Sequence, residues 1–505
     1  MTTVTRLGPL TPIRDADFGY EQARHLLWRA GFGGSPEQIQ TLSSWGPKRA
    51  VDHLLDVKEI AYDRPRADAF DRDIMQPPTR QQRAAIARAR RERDEEVVAR
   101  FRAERQDRQR RDRRQIRLIQ RWWLTRMIET PRPLEEKMVL FWHGHFATSY
   151  RTIENLYHMY LQNQLFRTHA MGNYGRLLHQ IIRDPAMIAY LDNNDSRRNR
   201  PNENLAREIM ELFSLGVGNY TEKDIKEGAR ALTGYTFVDD EFTFQSRNHD
   251  DGPKSILGRS GRMDGDDFVN AILARRACSR HMCRKLYKFF VAAVPDSSRQ
   301  TDPEANSVIR SLASLFAARD YEIKPVLRKL FLSEHFYGPG VMNEQIKSPA
   351  ELTVGAIRTL NVPPRDLSIL LDAMDLMGQS VLFPPSVKGW DGGRSWINTS
   401  TLFVRQNTLS YLLTGKKPAG YDALANLEKY DPMPLLSPLA RATPGADRDA
   451  AQVVDYLMRF ALGRTPPRAR KSLLAFMAEH DNRVTPEIAT GLLLLITAMP
   501  EYQLC

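Results

Sequence analysis

The chain has 505 residues, 42% of them hydrophobic and 27% charged, and its 73 Lys and Arg against 61 Asp and Glu leave a net charge of +12. That balance excludes a disordered chain and supports a sizeable core, in two or three domains or in one large helical domain with appendages. Three cysteines without paired spacing, Cys278, Cys283 and Cys505, argue against a disulfide framework, a zinc ribbon or an iron–sulfur site.

The first 18 residues read as an irregular lead-in with no apolar signal core, so a cytoplasmic location is expected, which does not bar export by another route. Tyr20–Ala30 predicts a helix ended by Gly31-Phe-Gly-Gly34. Ser35 and Pro36 then open a second helix as N-cap and first helical residue, and Lys48–Leu55 makes a third after Gly46-Pro47. A Pro- and Asp-rich loop is expected over 61–79.

Arg80–Arg121 holds 16 Arg, no Lys and 7 acidic residues, so it carries +9 and the rest of the chain +3. Its composition favours helix, with opposite charges four apart at Arg91–Glu95, Glu96–Arg100, Glu104–Arg108 and Asp107–Arg111. From Glu104 to Gln115 no residue is apolar, so this long charged helix either projects from the body or is partly disordered. Acidic residues are mixed in and Phe101 is the one aromatic in the segment, so a solvated helix or an arm for a protein partner is expected there rather than a nucleic-acid contact.

Leu134–Ser149, LEEKMVLFWHGHFATS, follows Pro131 and Pro133, and sets His143 and His145 beside a dense apolar block. Further helices are predicted over 151–170, 174–183, 185–191, 202–215 and 221–232. Alternating aromatics and threonines around Asp239-Asp240 predict a β-hairpin over 235–245, within a small β insertion near 235–258. The helices then resume to about 360, and a Gly-, Pro- and Trp-rich loop follows over 378–398. The expected fold class is mainly α, a large multi-helix bundle-like domain over 1–415. A linker or long loop over 416–447 leads to C-terminal helices over 448–505 that pack on the main domain. The longest apolar run, Gly491–Met499, is too short to span a bilayer.

These segments resemble the bacterial domain-of-unknown-function 1800 family over nearly the whole chain. The stretches that carry the likeness include HLLWRAGFG (25–33), EEKMVLFWHGHFATS (135–149), PNENLAREIMELFSLGVGNYTEKDIKEGARALTGY (201–235), FPPSVKGWDGGRSWINTSTLFVRQN (383–407) and MPEYQLC (499–505). The resemblance supplies no catalytic residues, since that family has no assigned reaction. It implies a sulfatase-like protein encoded nearby as a partner, and export for many members.

Two imidazoles beside an aromatic wall suit a divalent metal or acid–base chemistry. On a continuous helix, however, residues two apart point about 200° apart and cannot share an ion. Their competing role is packing, with each ring hydrogen-bonded inside a helical core. Glu208 lies on a polar helix face with Asn204, Arg207 and Glu211, and a salt-bridged face is the plainer account of it. The adjacent His249 and Asp250 offer acid–base groups or a simple turn. Trp390, Asp391, Trp396, Asn398 and Arg405 suit recognition of a sugar or peptide, or pin a loop to the core.

Two functions fit. One is a hydrolase or metal-dependent enzyme: His143, His145, Glu208, His249 and Asp250 supply the chemistry, the first three hold a divalent metal, and the 383–398 loop holds substrate. The other is a non-catalytic assembly protein that docks a partner through its Arg-rich helix.

Overall fold

The computed structural model describes residues 10–62, 70–71, 74, 79–295, 300–363, 365–417 and 429–505. Most of the expected 61–79 loop, the start of the lead-in and residues 418–428 of the expected 416–447 linker lie outside these.

Helix starts follow local chemistry. α1 is Tyr20–Arg29 and α2 is Pro36–Leu55; Ser35 Oγ accepts the Gln38 amide at 3.3 Å, and α2 kinks at Gly46, where φ is 74°. The charged segment is helical, in two pieces. α3 (Arg80–Glu92) ends at Arg93 in the left-handed region, Asp94 caps α4 (Glu95–Glu129) by accepting the Val97 amide at 3.0 Å, and the two helices pack on each other. The turn separates Arg91 from Glu95; the Asp107–Arg111 pair forms at 3.2 Å. Of the described side chains between Thr79 and Arg111 only Ala89 is buried. α4 joins the body at Asp112, whose buried carboxylate accepts from Tyr150 Oη at 2.8 Å and the Leu156 amide at 3.0 Å.

α5 (Pro133–His145) is buried at every residue but Gly144. Its charged first turn is therefore neutralised internally. Glu136 accepts from Arg126 Nε at 2.9 Å, Arg167 Nε at 2.7 Å and Trp123 Nε1 at 3.1 Å. Burial pushes its carboxyl up, but the two guanidiniums outweigh that and hold it below the usual range. Lys137 pairs with the buried Glu351 and donates to the Gly31 carbonyl at 2.9 Å. A sequence pattern that suits a helix start thus gives a buried ionic layer.

α5 packs on α2, α4 and α7 (Leu156–Thr168). The chain also forms α6 (Tyr150–Ile153), α8 (Tyr174–Ile181), α9 (Pro185–Tyr190), α10 (Glu203–Glu208) and α11 (Glu222–Ala231). β1 (Tyr235–Val238) and β2 (Glu241–Phe244) pair antiparallel with Tyr235 opposite Phe244, turning at Asp239 where φ is 61°. A second hairpin, β3 (Pro253–Ile256) with β4 (Arg259–Arg262), turns at Leu257-Gly258, both at positive φ. The remaining α-helices run from α12 (Gly265–Leu273) and α13 (Arg276–Phe290) to a last one at Pro486–Thr497.

Within the expected linker, the short helix Ser437–Ala442 lies beyond the undescribed part. Arg24 of α1 donates to the Phe460 and Ala461 carbonyls at 2.8 and 2.7 Å, and Cys505 exchanges both backbone hydrogen bonds with Gln345. The three cysteines are buried and free. Among the described residues no helix is long and apolar enough to cross a membrane.

Candidate functional site

α5 runs without a break through Gly144, so the two imidazoles leave it in different directions. His143 lies between Trp123 and Trp390, with ring centroids 5.3 and 5.5 Å away, and its Nε2 accepts the Leu382 amide at 3.1 Å. Burial alone pushes its pKa down to about 3. His145 stacks parallel to Phe141 at 5.8 Å and donates from Nε2 to the Phe213 carbonyl at 2.9 Å. Burial, with Lys285 and His281 nearby, holds it well below the usual range. Both rings are neutral, and their partners assign opposite tautomers.

The carbonyl that His145 meets belongs to an irregular element. After α10 the chain widens into a π-helix, Ile209–Ser214, in which the Leu215 amide reaches back five residues to Met210 O at 2.8 Å. The element ends at Ser214, so the carbonyls of its last turn are unclaimed by the helix. Phe213 O is taken by His145 and by Tyr174 Oη at 2.7 Å, and Leu212 O by His281 Nε2 at 2.9 Å. The sequence predicts an ordinary helix over 202–215, because a π-turn has the same composition as an α-turn.

The outer face of this element carries Glu208 and Glu211. Glu211 accepts from Tyr220 Oη at 2.6 Å, and Arg207 is drawn to Glu222 at 2.9 Å and Glu203 at 3.1 Å. Burial and the neighbouring Glu211 push the half-buried Glu208 carboxyl up, against Arg207 and Lys388. Lys388 belongs to the glycine-rich loop, which closes over the end of α5. A Cβ on Gly389 would lie 2.1 Å from the Gly144 carbonyl oxygen, and the Trp390 ring would lie 3.8 Å from one on Gly144.

The other expected site residues are held elsewhere. His249 Nδ1 donates to the Thr233 carbonyl at 2.9 Å. Asp250 takes two bonds from Arg230, at 2.7 and 3.1 Å, and the Gly252 amide at 2.9 Å; Arg230 above all holds its carboxyl low. Asp391 is exposed, and Trp396 is buried against Gly378. Asn398 caps the helix Thr399–Thr414 by accepting the Thr401 amide at 2.9 Å. Arg405 is fully buried, donating to Gln503 Oε1 at 3.1 Å and to the Lys347 carbonyl at 2.8 Å.

So the structure brings His143 to Trp390, and Glu208 within electrostatic reach of the same loop. His145 is engaged with the π-helix, and His249 and Asp250 with Thr233 and Arg230. Among the described residues no three His, Cys, Asp or Glu side chains are placed to hold a metal ion. Sequence reasoning missed Lys388, the π-helix and a cavity on the charged arm. That cavity, about 230 Å³, lies between α3 and α4 and is lined by Ile86, Val98 and Phe101 with Arg90, Arg102 and Arg105. The signal for it was faint: Ile86, Val98 and Phe101 stand, with Val97 and several alanines, among many charged residues.

Fold and site together define a mainly α protein whose histidine-bearing helix is a buried strut, with a basic helical hairpin standing off it. The chain belongs to the family described as Protein of unknown function (DUF1800), whose model matches residues 25–504. No curated protein and no solved structure matches it.

Proposed function

We propose that the protein is a non-catalytic assembly protein that grips an acidic protein partner with the α3–α4 hairpin. One observation carries this reading: an ordered pair of helices that buries almost nothing, with arginines unmatched by carboxylates. Glu92 is taken by Arg88 at 2.9 Å, Glu104 by Arg100 at 3.7 Å, and Asp107 by Arg110 and Arg111. No carboxylate among the described residues lies within ion-pair reach of Arg90, Arg102 or Arg105. Such a surface steers and orients an acidic partner. The sulfatase-like protein that the family resemblance implies is the first partner to try. Replacing residues 80–108 by a short Gly-Ser linker should abolish its co-purification and leave the melting of the body unchanged; undiminished co-purification would count against the reading.

A second reading, acid–base chemistry of a hydrolase at Glu208, draws on the raised carboxyl beside a π-helix and under the Lys388–Trp390 loop. In that case Glu208→Gln removes turnover and the arm replacement leaves it intact. Under the assembly reading Glu208→Gln leaves partner capture intact.

A further inference from the structure

Resting on the assembly reading, we infer that the cavity between α3 and α4 is a slot for one short amphipathic helix of the partner, acidic on its flanks and apolar along one face. The slot is lined on α3 by Gln82, Ile86 and Arg90, at intervals of four, and on α4 by Val98, Phe101, Arg102, Arg105 and Arg108, one helical stripe, with Glu104 at its margin already paired to Arg100 at 3.7 Å. Antiparallel packing about the Arg93–Asp94 turn sets Ile86 opposite Phe101 in the middle. Arg90 stands at the tip end, and Arg105 and Arg108 stand towards the body.

An apolar floor between two basic ends is thus built into an arm that has no core of its own. The Arg100 guanidinium lies 5.4 Å over the Phe101 ring, so the floor is partly sheltered by cation–π contact until a partner arrives. At 1.5 Å per residue, the span from Gln82 to Arg90, or from Val98 to Arg108, is about 12–15 Å. That length holds two to three helical turns, enough for apolar anchors at i, i+4 and i+7.

Charge complementarity selects the occupant's sign and the floor selects its class. A nucleic-acid backbone would gain from the arginines as an acidic helix does, and Glu104 opposes both alike, but phosphate offers nothing to Ile86, Val98 and Phe101, so the apolar floor decides between them. An acidic amphipathic helix satisfies both surfaces.

The test uses the full chain and three fluorescent probes: a synthetic Glu-rich peptide with Leu along one helical face, a scramble of the same composition, and a short DNA duplex. The amphipathic peptide should bind at least about tenfold tighter than the scramble. Phe101→Ser should remove that advantage without changing scramble binding, whereas Arg102→Glu with Arg105→Glu should weaken both peptides and steepen neither salt dependence. Circular dichroism reports whether the arm stays helical, and Ile86→Ser gives an independent approach from the other helix. Equal binding of the two peptides, tighter binding of DNA, or Phe101-dependent self-association of the chain would each overturn the slot. Loss of partner capture on arm replacement, with capture intact in Phe101→Ser and Ile86→Ser, would sink the slot and leave the assembly reading standing. Peptide binding in the slot with capture unaffected by arm replacement would do the reverse.

Discussion

Glu136→Gln removes one charge from the middle of α5 and changes almost no volume. The native carboxylate is fully buried and receives four donors: Arg126 Nε and Arg167 Nε on Oε1, at 2.9 and 2.7 Å, and Arg167 Nη2 and Trp123 Nε1 on Oε2, at 2.9 and 3.1 Å. An amide keeps one acceptor oxygen and points two hydrogens at two donors. It also leaves the buried Arg167 guanidinium without its counter-charge and Arg126 with only Glu135, 4.0 Å away. Breaking a buried pair from one side costs about 3–5 kcal/mol, a large share of a stability of about 5–15 kcal/mol. Urea unfolding followed by tryptophan fluorescence measures the loss. Glu92→Gln is the control, because Glu92 pairs with Arg88 at 2.9 Å in open solvent and should cost no more than about 0.5 kcal/mol. The sign with pH is also set. The folded carboxyl is held below its usual value, so its contribution is full above about pH 4.5 and fades as acid titrates it. The gap between wild type and variant should therefore narrow as pH falls. A loss under about 1 kcal/mol, or a gap that does not change down to the acid transition, would refute the buried-layer account of α5.

His143→Ala should cost about 2–4 kcal/mol, from a lost ring and an unpaired Leu382 amide, and His145→Ala about 2–3 kcal/mol, from the lost ring, since Tyr174 Oη still holds the Phe213 carbonyl, with the metal content of the purified protein unchanged; a stoichiometric metal lost in either variant, read by elemental analysis, would show a shared role. Asp184 caps α9, and burial pushes its carboxyl up to about 6 despite bonds from Gln162 and the Met187 amide. Its ionised form therefore destabilises the fold, not at all below about pH 3.8 and fully above about pH 6, by up to about 3 kcal/mol. The D184N variant keeps the cap, so it should gain at pH 7 and show a flatter stability profile between those limits, measured by denaturation at several pH values. Gly389→Ala puts a methyl group into the Gly144 carbonyl at a φ of 74°. It should cost about 1–3 kcal/mol and raise amide exchange over 383–398.

The helical class, the projecting charged segment and the β insertion were legible because each rests on local signals: proline at helix starts, the arginine run, and period-two aromatics. The hairpin form of the arm was not, since its turn uses Arg93 in the left-handed region rather than glycine. The candidate site was legible as residue types but not as geometry. His143 does reach Trp390 across more than two hundred residues of chain, a pairing that only the fold decides. Asn398 was picked out for recognition, yet its place just before a helix marks it as a cap, the same signal that works at Ser35. The burial of Glu136 and Lys137 was not legible, because their partners, Arg126, Arg167 and Glu351, lie on other helices.

The chemistry that makes the two-histidine stretch conspicuous follows from the element it supports. A helix that ends in the core strands its last carbonyl oxygens where water cannot reach, and each must find a donor. A lysine there would bring a charge into the core, and a serine is too short to cross between helices. A neutral imidazole meets the need, being rigid, flat enough to pack among Phe141, Trp142, Phe146 and Phe213, and an N–H donor without charge. His281 does the same for the adjoining carbonyl. The depressed pKa of His145 is then a consequence of this packing task, and needs no catalytic purpose. With these rings engaged inside, the groups left to meet another molecule stand on the surface, in the Glu208 crease and most densely on the arginine-lined hairpin.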